Sequence, residues 1–318
     1  MLQVNTDFSW SIRSPDSQTE ELDARYLHTV PVHGREYQKY SIEKKICFQP
    51  VDDDEAERLE LQHEFFNGVF DSRLIFPPIP NPRQILDCGH GAGSWAVEVA
   101  EGYPRCEVIG VDISPHMNPE YVPGNLWLQV DDLNRTFTFP PNHFDLVHSR
   151  MLATGIDGSR WPSYIEDIRR VLRPGGWVQL VEMYFNAQSD NGSLTENHAL
   201  RQWSTKFMRS MQDVKDLRVG THLRNLLMAA GMEEVDTKMI PLPLCEWPNE
   251  QRMREIGAAN RESVRQLLPA LSLYPLTQRL RMPHEEFQQL IARAEEEAGN
   301  PSLKAYFPLY VCIGRKPL

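Results

Sequence analysis

From residue 84 to residue 182, short apolar runs alternate with amphipathic stretches. Gln84–Cys88 (QILDC) reads as a buried strand, Ser94–Glu101 as a helix and Glu107–Asp112 (EVIGVD) as a second strand. Leu126–Val130 (LWLQV) and Phe144–Ser149 (FDLVHS) read as the third and fourth strands. Trp161–Leu172 puts Ile165, Ile168 and Leu172 on one helical face. Pro174, Gly175 and Gly176 then turn the chain into a fifth strand, Trp177–Glu182. Short continuous apolar strands separated by helices predict βαβ units around a parallel sheet.

The flanks follow other patterns. Residues 1–30 are polar and acidic without periodicity, which predicts a mobile tail over residues 1–33. Residues 34–82 are expected to form an N-terminal arm and helix. Asp52, Asp53 and Asp54 precede Leu59, His63, Phe66 and Phe70 at helical spacing, so the acidic triplet reads as a helix cap and not a metal site. Phe76–Pro82 is proline-rich and predicts a loop. Past the fifth strand, Asn197–Gly231 is helix-compatible and Glu234–Ile240 reads as a strand. Met253–Leu268 and His284–Ala298 are amphipathic, the latter with Phe287, Leu290, Ile291 and Ala294 on one face. Tyr306–Gly314 reads as the last strand. The expected organisation is a core over 83–240 with a helical insertion at 186–230, a helical lid at 241–304 and a final core strand within 305–318.

Composition narrows the function classes. With 41% hydrophobic and 24% charged residues, the 318-residue chain is not disordered throughout. A net charge of −11 argues against general nucleic-acid binding. No apolar run approaches the roughly 18 residues of a membrane span, and the first residues lack a signal-peptide pattern. Five scattered cysteines without a CxxC argue against a zinc site or disulfide framework. They fit a reducing compartment, the cytoplasm or the nucleus.

The chemistry concentrates in ILDCGHGAGSW, where a strand runs into Gly89, Gly91 and Gly93 and a helix follows. Such a loop brings a ligand close to the backbone. The spacing is GxGxG, and the third glycine of a dinucleotide fingerprint would fall on Ser94. Asp87, two residues before the first glycine, disfavours a pyrophosphate and suits a cation, so S-adenosylmethionine is favoured over NAD. Asp112, at the end of the second strand, is placed to accept from ribose hydroxyls, with Ile113 beside it. Asp131 and Asp132 end the third strand, where a carboxylate can meet an adenine amino group. His148 and Ser149 end the fourth. Ligands of open α/β sheets bind at the carboxyl ends of strands, so these positions converge.

The runs ILDCGHGAG, VIGVDIS, VDDL, FDLVHSRML and VLRPGGWVQLVE resemble class I S-adenosylmethionine-dependent methyltransferases over residues 84–185. GREYQKY, RLELQH, HSRMLATGI, SDNGSL, AAGMEEV and the closing GRKP resemble the fungal LaeA-like, velvet-associated methyltransferases over residues 34–316. The resemblance implies a Rossmann-like seven-stranded sheet of order 3-2-1-4-5-7-6 and S-adenosylmethionine as cofactor. It places Asp87 and the three glycines near the methionine part, Asp112 at the ribose and Asp131 at the adenine. Tyr37 and Tyr40 match a tyrosine-containing arm that folds over the cofactor. His90 departs from the family, where a small hydroxyl residue is common.

Methyl transfer needs alignment above all, with a general base when the acceptor is a hydroxyl. His148, Glu182 and Tyr184 are the base candidates near strand ends, and His198 and Trp203 are candidates for a substrate pocket. The favoured reading is a methyltransferase acting on a small-molecule fungal secondary metabolite at O or N; the alternative is a LaeA-like regulator acting with a velvet-type protein partner, and the third is a cofactor-binding fold without turnover.

Overall fold

The computed structural model describes residues 21–318. Asp23 caps a single 3-10 turn at Ala24–Leu27, and β1 (Thr29–Val32) pairs antiparallel with β2 (Arg35–Gln38). The mobile tail expected to residue 33 therefore gives way to ordered backbone from Ala24; residues 1–20 of that expectation lie outside the described residues. The hairpin pairs its own backbone groups. The Gln38 amide then ties it to the body by donating to Tyr26 O and Ile113 O, both at 2.9 Å.

After α1 (Lys39–Lys44), α2 (Asp53–Val69) starts at Asp52, whose carboxylate accepts from Glu55 N–H and from the Arg35 guanidinium. The first acid of the triplet thus serves as the cap its position predicts. The core elements follow: β3 (Gln84–Cys88), α3 (Ser94–Gly102), β4 (Glu107–Asp112), β5 (Leu126–Val130), β6 (Phe144–Arg150), α4 (Trp161–Val171) and β7 (Leu172–Met183). The C-terminal half adds β8 (Gln188–Ser189), α5 (Ala199–Met211), α6 (Leu223–Ala229), β9 (Glu233–Pro243), α7 (Gln251–Tyr274), α8 (His284–Ala298) and β10 (Ala305–Arg315).

The sheet runs β5-β4-β3-β6-β7-β10, and β9 pairs the far edge of β10. Pairing is parallel from β5 to β7, and β10 is antiparallel to both β7 and β9. Counting core strands from β3 and leaving out two-residue β8, this is the expected 3-2-1-4-5-7-6. The period of two sorts side chains into two layers. Ile85, Leu146 and Trp177 join Trp95 and Val99 of α3 in one. Leu86, Val147 and Val178 join Tyr164, Ile165 and Ile168 of α4 in the other.

Two stretches depart from their patterns. Asn197–Gly231 is not one helix: the chain breaks after Met211 and resumes through a 3-10 turn at Val219–His222. In the break, Lys215 is buried and its Nζ donates to Gly155 O and to Asp157 Oδ1, at 2.9 and 2.7 Å, contacts a continuous helix could not make. Conversely, α7 runs six residues beyond the expected Leu268, straight through Pro269. Proline removes one helical hydrogen bond, but Leu271, Leu273 and Leu276 are buried on the continuing turns. The helices expected as a lid pack into the body. The Trp203 indole N–H of α5 donates to Leu268 O and Ser272 Oγ of α7, and the Phe287, Leu290, Ile291 and Ala294 face of α8 is buried. No helix among the described residues is long and apolar enough to cross a membrane.

Candidate active site

The loop after β3 is shaped by its glycines. Gly89 and Gly91 hold φ of +74° and +58°, a region L side chains rarely adopt. A Cβ on Gly89 would collide with Leu152, and one on Gly91 would lie 3.2 Å from Leu59 Cδ1. Asp112 fixes the loop from the next strand: one carboxylate oxygen accepts Gly91 N–H at 3.0 Å, and the other accepts Ser114 N–H at 2.9 Å. Asp131 accepts Asp132 N–H at 2.7 Å.

These residues open onto a cavity of about 1020 Å³ counting its mouth. Gly89, Gly91, Asp112, Ile113 and Asp131 form its floor. The arm and α2 form one side through Gln38, Cys47, Arg58 and Gln62. Arg150 at the end of β6 with Met151 and Leu152 after it form another, and Phe185 with Leu267 and Leu271 of α7 closes the top. The cavity thus sits at the carboxyl ends of β3 to β6, where the sheet topology reverses.

The other sequence candidates lie off this wall. Asp87 and His148 form a buried pair behind the loop, Nδ1 to Oδ1 2.8 Å, with the imidazole stacked on Trp95 at 3.7 Å. Burial lowers the His148 pKa, opposed by the Asp87 carboxylate. Ser149 accepts from Tyr164 Oη at 3.0 Å in the core. Gly93 caps α3 with φ +81° beside Pro119. Asp132 accepts Asn134 N–H and pairs with Arg135. Tyr37 is wholly buried against Tyr274, and Tyr40 packs on Tyr26 under Arg25. His90 tucks against Gly110, away from the cavity. Among the base candidates, the buried Glu182 accepts Leu152 and Ala153 N–H, and Tyr184 Oη accepts from Asn186. His198 bonds Thr195, and Trp203 is fully buried between α5 and α7. Among the described residues, no group of three His, Cys, Asp or Glu side chains is placed to hold a metal.

Residues 85–176 match the family model described as a methyltransferase domain. The chain is 32% identical over 299 residues to the protein-methionine methyltransferase laeA of Emericella nidulans, covering 90% of this chain and 76% of that relative. It is 30% identical over 292 residues to the secondary metabolism regulator laeA of Aspergillus fumigatus, with the same coverages. The chain belongs to the LaeA family of S-adenosylmethionine-dependent methyltransferases. In fold it is similar to phosphoethanolamine N-methyltransferase 2 of Haemonchus contortus, solved with S-adenosylhomocysteine, at 20% identity and a TM-score of 0.51. That likeness covers 80% of this chain and 53% of that one.

The cavity of this LaeA-family chain fits its cofactor. Gly89 and Gly91 line it with backbone alone, and acids stand at the ends of β4 and β5 on its floor. Sequence reasoning missed most of the wall. Arg58 and Gln62 come from a helix legible by its cap and its apolar spacing but not as part of a site, and Leu267 and Leu271 from one read as lid. Arg150 was visible only as the residue after the expected fourth strand, and the structure makes it the last residue of β6. Its Nη2 donates to His63 Nδ1 at 3.3 Å, which leaves His63 Nε2 to donate to Glu98 at 2.6 Å. Burial lowers the Arg150 pKa to about 10.

Proposed function

We propose that the cavity transfers a methyl group to an acceptor needing no general base, a methionine thioether presented on a protein segment, as part of a LaeA-type regulatory role. When bound, S-adenosylmethionine supplies an electrophilic methyl on a sulfonium leaving group. The observation that carries this reading is the set of titratable groups on the wall: Cys47, Arg58, Asp112, Asp131 and Arg150. The two arginines are donors only. Asp112 and Asp131 accept backbone N–H groups. The Cys47 thiol is pushed up to about 11 by burial. A hydroxyl acceptor would lack a positioned base, whereas a thioether attacks without losing a proton. The apolar top, Phe185 with Leu267 and Leu271, suits an unbranched apolar side chain and excludes water. The name of the Emericella nidulans relative points to the same chemistry.

The same apolar top favours a second reading, a small-molecule secondary metabolite as acceptor. Incubation with methyl-labelled S-adenosylmethionine and a fractionated fungal lysate separates the two. Label in the protein fraction, on methionine, supports the proposal; label confined to the organic-soluble fraction overturns it in favour of the metabolite. A velvet-type partner belongs to the regulatory reading, and gel filtration tests it by co-elution.

A further inference from the structure

The arm carries an anion-binding group that the strand ends do not supply. Arg58 is 3% exposed and lines the cavity. Its Nε and Nη2 donate to the two oxygens of buried Glu55, at 2.9 and 2.7 Å. Its third nitrogen, Nη1, is buried without a partner. A buried donor left unpaired is costly unless a ligand completes it. Gln62, buried one turn along α2, lines the same cavity. Between them, Leu59 reaches to within 3.2 Å of the Cβ position of Gly91, so this turn of α2 lies directly over the glycine loop. Meanwhile Asp87, the acid expected at this end, is engaged by His148 behind the wall.

We propose that Arg58 binds the carboxylate of the cofactor's methionine end, with Gln62 beside it, so that α2 and not the sheet anchors that end. A guanidinium with one edge on Glu55 and one nitrogen free can donate a charge-assisted bond to a single carboxylate oxygen. The Arg58–Glu55 pair is itself neutral, which matches a zwitterionic amino-acid group. The inference rests on the cavity being the methyl-transfer site.

Calorimetry on the full chain tests it with three ligands: S-adenosylhomocysteine, S-adenosyl-3-thiopropylamine (the same molecule without its carboxylate) and 5′-methylthioadenosine. The wild type should prefer the carboxylated ligand by about 10–100-fold, the range of a charge-assisted hydrogen bond. In Arg58→Gln, and in the double variant Glu55→Gln/Arg58→Gln that removes the buried pair together, the preference should shrink to within about 3-fold. Binding of 5′-methylthioadenosine should be retained. An undiminished preference in the variants overturns the role of Arg58. Loss of 5′-methylthioadenosine binding in both variants overturns it too, by placing Arg58 in the fold. Failure of the wild type to bind any of the three overturns the cavity reading beneath it.

Discussion

Glu182 offers a sharp test because its position excludes the role its sequence suggested. Its carboxylate accepts Leu152 N–H at 2.8 Å and Ala153 N–H at 3.0 Å, clamping the segment that leans over Gly89. Burial raises its pKa to about 8, and the two N–H groups oppose the rise only in part. Unfolded, the group titrates near 4.5. Between these values the folded state holds one more proton than the unfolded state, so stability falls as pH rises through the window. The width is 8 − 4.5 = 3.5 units; at about 1.36 kcal/mol each, the loss is about 5 kcal/mol. Glu182→Gln removes the titration and keeps a single acceptor, leaving one N–H unpaired at about 1–3 kcal/mol. Urea unfolding from pH 4.5 to 9 should therefore give crossing curves, with the variant less stable at the acid end and more stable at the alkaline end. Other titrating groups are common to both proteins and cancel. Parallel curves would refute the assignment of a protonated, buried clamp.

Asp112→Ala removes the acceptor of Gly91 N–H, and S-adenosylhomocysteine affinity measured by calorimetry should fall by about 10-fold or more; an unchanged dissociation constant would detach Asp112 from the cofactor site. Gly89→Ala must hold a left-handed φ at about 1–2 kcal/mol and displace Leu152, so thermal unfolding should shift downward and cofactor affinity should drop; a fully bound, equally stable variant contradicts the reading of the loop. Trp203→Phe removes the indole donor to Ser272 Oγ and Leu268 O while the Ser272 hydroxyl goes on donating to Leu268 O, and it should cost about 1 kcal/mol in urea unfolding. Its cofactor affinity should stay at the wild-type value, and an altered affinity would return Trp203 to the pocket.

What could be read from sequence follows from how far apart the cooperating residues lie. Strands β3 to β7 were legible because period and composition are local, and the bounds of β3, β4 and β5 match their patterns. The loop was legible because GxGxG between strand and helix is contiguous, and Gly89, Gly91, Asp112, Ile113 and Asp131 all reach the cavity. Asp87 and His148 were misplaced because their mutual pairing spans 61 positions and turns both inward. Arg58 carried no signal, since a single cation on an amphipathic helix is ordinary until Glu55 and the cavity define it. The expected helix stopped at Leu268, and only the burial of the residues beyond Pro269 shows why α7 continues to bring Leu271 over the site.

The central claim, that this cavity is the cofactor site of a LaeA-family methyltransferase, is tested most directly by a crystal structure with S-adenosylhomocysteine bound. The account predicts density for the ligand between Gly91 and Asp131, its ribose at Asp112, its adenine at the end of β5 and its carboxylate at Arg58. Density elsewhere on the protein, or a ligand turned so that Asp112 and Asp131 stay free, would contradict it.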